Sequence, residues 1–163
     1  MSPLFERRQI RPRRDGSYAV DLPEHERDLL VSLAAQLRAL IDQGDDDPSL
    51  ARLFPTAYVD RPDLDDEFHR LMHGDLAARH RWALTVMGET AHEPALNADQ
   101  LGAWMEGLNQ LRLVLGTRLD VQEDMGPVEP SHPDAQPLAV YHYLSWLLEQ
   151  VVDAMHATLP DPR

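Results

Sequence analysis

Cysteine is absent from the 163 residues, which removes disulfides, thiolate nucleophiles, thiolate zinc sites and thiol-based redox sensing together. Lysine is absent too, so all 15 basic residues are arginine. No stretch reaches the ~18 uninterrupted apolar residues that a membrane span requires. The first twenty-odd residues hold neither an apolar run nor a small-residue cleavage site, so neither export nor membrane insertion is expected and a cytoplasmic location is the default. Glycine-rich phosphate loops, a serine in an elbow-like glycine context and a HExxH zinc pattern are all missing. No catalytic constellation stands out, and no cofactor is expected.

What is present is charge, unevenly spread. Arg7, Arg8, Arg11, Arg13 and Arg14 against Glu6 give the first 14 residues a charge of +4, so the remaining body carries −17 of the net −13. Such a body repels nucleic acid and bare anionic lipid. The five arginines are the candidate contact with nucleic acid or an acidic partner, the alternative being that they decorate a solvated hairpin.

Read in order, the chain predicts mainly α structure: a four-helix-type bundle with a short N-terminal β-hairpin. Asp15-Gly16 between two extended-looking runs marks the hairpin turn within residues 1–22. The rest, 23–163, reads as one helical bundle domain, a single compact unit with a mobile loop at about 122–136, where Gly126, Pro127, Pro130 and Pro133 gather. Pro23 opens the first helix, with Glu24 and Glu26 in its positive first turn. A second runs from Pro62 to about Glu89. Asn97, with Gln100 at the capping-box position, opens a central helix to about Val121. Its apolar stripe is Leu101, Trp104, Leu108, Leu111, Leu115 and Leu119. The last helix ends near Thr158.

On the second helix Phe68, Met72, Leu76, Ala83 and Val86 share a face with Asp75 and Arg79 at its middle. An acid and a base turned toward a core need further partners, and Arg112 and Arg118 flank the central stripe. A buried polar cluster of Asp75, Arg79, Arg112 and Arg118 is therefore expected. Gly116 inside the central helix calls for a close helix crossing or a local bend. Leu113, stranded on that helix's polar side, is the candidate contact of a homodimer. His69, His73 and His80 lie near one another on helix two with Asp66 beside them, the one cluster with metal-like spacing. A metal-dependent or small-molecule enzyme using that edge is the alternative reading, with exposed histidines of an acidic protein as the plainer one.

Four stretches matter together: Leu53-Phe54-Pro55-Thr56-Ala57-Tyr58, Asp75-Leu76, the run from Leu108 to Leu119 reading LNQLRLVLGTRL, and Tyr143-Leu144-Ser145-Trp146-Leu147. In that order and spacing they resemble an actinobacterial family long catalogued as a domain of unknown function and also described as AosR-type, oxidative-stress-responsive transcriptional regulators. The resemblance implies a small cytoplasmic regulator without enzyme activity that acts through protein partners, a sigma factor with RNA polymerase among them. It also implies redox sensing through a cysteine pair, which this cysteine-free chain cannot carry. The combined expectation is a non-catalytic regulatory or adaptor protein whose acidic helical body docks on a partner.

Overall fold

The structure, a computed structural model, describes residues 8–44, 47–54 and 62–159, with the backbone alone for 62–66, 68 and 69. Two short strands, β1 (Ile10–Pro12) and β2 (Tyr18–Val20), form the expected hairpin with Ile10 opposite Val20. Its turn is built as the Asp-Gly pair predicts. Asp15 Oδ1 accepts hydrogen bonds from the Ser17 backbone N–H at 2.9 Å and hydroxyl at 2.6 Å. Gly16 takes the left-handed conformation, φ +88°, which a side chain would resist. A third strand, β3 (Ala95–Leu96), joins β2 antiparallel, giving the order β1-β2-β3. The hairpin is thus sewn into the bundle rather than hung from it. Gln9 N–H donates to Gln150 Oε1 at 3.1 Å, and the Tyr18 and Thr158 hydroxyls lie 2.9 Å apart.

Among the described residues four helices follow, α1 (Glu24–Asp42), α2 (Pro62–Thr90), α3 (Ala98–Arg118) and α4 (Ala135–Ala157), with one 3₁₀ turn at Pro48–Leu50. Pro23 sits just outside α1 as its N-cap residue, and Gly44 closes the helix at φ +110°. The capping box of α3 is present in full: Gln100 N–H donates to Asn97 Oδ1 at 2.8 Å and Asn97 N–H to Gln100 Oε1 at 2.9 Å. No helix among the described residues is long and apolar enough to cross a membrane.

The central position of α3 follows from its sequence. It packs on α2 and α4, touches α1, and meets the 3₁₀ turn. A helix enclosed on several sides needs apolar or small residues all round, and Ala103, Gly107 and Val114 are buried beside Leu101, Trp104, Leu108 and Leu111. Two glycines set the spacing. A Cβ on Gly107 would meet Met87 Sδ at 3.2 Å, and one on Gly116 would meet Tyr141 Cε2 at 3.1 Å, so Gly116 marks a close helix crossing. Trp104 is fully buried, its indole N–H donating to Thr90 Oγ1 at 2.8 Å; that hydroxyl donates in turn to Val86 O at 2.7 Å.

Arg27, buried in the first turns of α1, was not foreseen. Its Nε donates to Leu22 O, Nη2 to Val20 O, and Nη1 to Ala91 O and Glu93 O, all at 2.8–2.9 Å. One guanidinium therefore joins the hairpin, α1 and the turn between α2 and β3, satisfying carbonyls that no ladder reaches.

Candidate functional site

The expected polar cluster is not assembled. Asp75 is exposed, and Arg79 reaches outward to α3, where it clasps Glu106 with Nη2 to Oε1 at 2.6 Å and Nε to Oε2 at 3.4 Å. Arg112 is half-buried and donates to Asn109 Oδ1 at 3.0 Å, beside Glu149 and Asp153 of α4. Arg118 lies at the far end of α3, donating to Ser49 Oγ at 3.2 Å and Asp47 Oδ2 at 3.3 Å. Hydrogen bonds from the Ser49 hydroxyl and backbone N–H, with Arg118 nearby, hold the Asp47 carboxyl below its ordinary value. The error has a physical source. The buried arc of α2 is Ala77, Ala83, Leu84, Met87 and Thr90, rotated away from most of the larger apolar residues that define the face read from the sequence. That rotation leaves Met72 48% exposed and turns Asp75 and Arg79 to solvent.

The histidines separate as well. The side chains of Asp66 and His69 lie outside the described residues. His73 stacks on Phe54 with centroids 4.4 Å apart, and His80 meets the same ring edge-on at 5.4 Å. His80 Nε2 lies 3.0 Å from Leu53 O; a carbonyl only accepts, so this nitrogen carries the proton. Both imidazoles thus pin the 47–54 segment onto α2. Of the hairpin arginines, Arg8, Arg13 and Arg14 are exposed and Arg11 half-buried, while Arg7 lies outside the described residues.

A different group of metal-ligating types does converge. Glu24 Oε1 lies 3.3 Å from His92 Nδ1, and Asp28 Oδ1 lies 3.1 Å from His92 Nε2. All three side chains are exposed. Arg27 holds the carbonyls on either side of His92. Such nitrogen and oxygen donors suit a divalent transition ion, although the histidine stands 64 positions from Asp28 and so leaves no local motif.

Two openings of about 350 Å³ flank α3. One is an apolar groove between α1 and α3, floored by Leu37, Leu111 and Val114, with Arg118 at its end. The other lies between α2, α3 and the segment after the 3₁₀ turn. Arg52, Arg79 and Glu106 line it together with His80, Gln110 and Leu113. Leu113 is half-buried there. Gln110 is 4% exposed, and its Oε1 has no hydrogen-bond partner among the described residues. No feature at the sequence level distinguishes this glutamine from the solvated polar residues of the same helix.

The described residues thus form an acidic helical bundle with a tryptophan-centred core and two clefts beside its central helix. The chain belongs to the family described as "Domain of unknown function (DUF2017)", which matches residues 7–155. It is 28% identical over 186 aligned positions, covering 85% of this chain and 83% of theirs, to proteins named "Oxidative stress regulator AosR" from Mycobacterium bovis and from Mycobacterium tuberculosis strains CDC 1551 and H37Rv. No solved structure matches. The family resemblance carried by the Leu108–Leu119 string is thereby borne out.

Proposed function

We propose that this protein is a non-catalytic regulator of the oxidative-stress response that works by binding a protein partner, with a sigma factor or RNA polymerase as the partner to test first. The observation that carries this reading is the similarity to the AosR proteins over 85% of the chain. Without cysteine, the chain cannot sense oxidant through its own thiols, so the signal reaches it through the partner or through non-thiol chemistry.

The test uses untagged full-length protein with RNA polymerase core and holoenzyme from its own source, assayed by sedimentation and by transcription in vitro with and without peroxide. The reading expects a stable complex and a change in stress-promoter output. It fails if the protein neither associates with either form nor alters transcription. A direct role for the hairpin arginines is separable. If all five met DNA phosphates, log K would fall with log salt at a slope of about −4.5, and a salt-independent complex would assign binding to protein contacts alone.

A further inference from the structure

The cleft between α2, α3 and the segment after the 3₁₀ turn contains a group that the fold does not use. Gln110 of α3 lines this cleft and is 4% exposed, yet its Oε1 accepts no hydrogen bond among the described residues. A buried acceptor without a donor destabilises the free protein, and departures of this kind are expected at functional or strained sites. The charges above it are also incompletely used. Arg52 has neither an ion-pair nor a hydrogen-bond partner among the described residues. Arg79 is 67% exposed and spends Nε and Nη2 on Glu106, leaving Nη1 unengaged among the described residues. Leu53, Leu76 and Leu113 form the apolar walls.

We propose that this cleft docks a peptide segment of a partner protein that presents an aliphatic side chain next to a carboxylate. The Gln110 amide, whose Oε1 is closed off from solvent in the free protein, turns into the cleft to accept the peptide N–H, the carboxylate accepts from Arg52 and Arg79 Nη1, and the aliphatic group lies on the three leucines. Each element answers something the free cleft lacks: a donor at its floor, an anion at its rim and apolar cover for its walls. A volume of about 350 Å³ sits at the small end of ligand sites, which suits one or two residues of a peptide. This inference rests on the reading that the protein works through a protein partner.

Acetyl-Leu-Glu-amide and acetyl-Leu-Gln-amide are titrated into the full-length protein while its backbone amides are followed by NMR. Shifts are expected at Arg52, His80, Asn109, Gln110 and Leu113, with the glutamate peptide binding at least tenfold tighter. Gln110→Met should weaken binding at least tenfold and raise Tm, because it removes an acceptor that the free protein leaves unpaired. Arg52→Gln, on the surface, should weaken binding similarly with Tm unchanged, and it remains a test if the Met variant does not fold. The proposal is overturned if neither peptide shifts these amides, if both bind equally, or if acetate alone binds as tightly. It is overturned equally if a folded Gln110→Met variant binds the glutamate peptide as tightly as the parent, or if the shifts follow protein concentration rather than peptide and so mark a second copy of this chain. Polymerase association unaffected by Arg52→Gln removes the cleft and leaves the proposed function; peptide binding without any polymerase association does the reverse.

Discussion

The two ends of α2 share one helix and differ in what holds them. Towards the C-terminus, Ala83, Leu84, Met87 and Thr90 are buried, as is Ala91 just beyond the helix, the Thr90 hydroxyl accepts from Trp104, and Arg27 takes the Ala91 and Glu93 carbonyls. Earlier in the helix only Ala77 is buried among the described side chains before Ala83, while Leu71 is 66% exposed and Met72 48%. That half is held by the Phe54 ring between His73 and His80 and by the Arg79–Glu106 pair. Folding energy is therefore concentrated at the end near the sheet, and the cleft with its unused polar groups lies toward the other. Ligand-binding regions are commonly drawn from the less stable parts of a fold, and this helix keeps the two roles apart along its length.

Substitutions can break that comparison or sharpen it. Trp104→Ala, at the anchored end, should destabilise by about 3–5 kcal/mol from lost burial and the cavity left behind, measured by urea denaturation. Arg27→Ala leaves several buried carbonyls without donors and should destabilise by about 3 kcal/mol; a change under 1 kcal/mol would mean that water replaces the guanidinium. At the opposite end, Arg79→Ala should leave the urea midpoint almost unchanged, as expected for an exposed ion pair. Leu71→Ala, on a solvated surface, should stay within about 0.5 kcal/mol of the parent. A loss as large as that of Trp104→Ala would abolish the distinction.

The smallest effect is read against pH. The Asp47 carboxyl is held below its ordinary value of 3.8 by the Ser49 hydroxyl and N–H. A folded-state value lower than the unfolded one contributes stability that is complete above the unfolded value and is lost as pH falls through the folded one. The stabilities of the parent and Asp47→Ala should therefore differ by a constant amount at neutral pH and converge in strong acid. Curves that stay parallel into acid would place the carboxyl outside the helix-end network.

Features encoded by neighbours in the chain were legible in advance. The Asp15-Gly16 turn, the Asn97 and Gln100 cap and the four helices each rest on contacts within a few residues. Features whose partners are distant or lack a residue signature were not. Arg27 bonds only to backbone carbonyls, up to 66 positions away, and any residue supplies a carbonyl. Strand β3 is two residues long and is recognisable only when β2 lies beside it. The buried side of α2 was misplaced because alanines form much of it, and alanine weighs little in a count of large apolar residues although it packs closely against α1 and α3. That single rotation accounts for the expected cluster around Asp75. Gln110 escaped notice for a related reason, since the stripe of large residues on α3 covers only part of a helix that is enclosed on several sides.

Amide hydrogen exchange resolved along α2 tests the division between its ends most directly. The amides from Leu84 to Ala91 should exchange only through global unfolding, with protection equal to the stability measured by denaturant, whereas those from Leu71 to Leu76 should exchange through local opening at far lower protection. Equal protection along the whole helix would contradict the account.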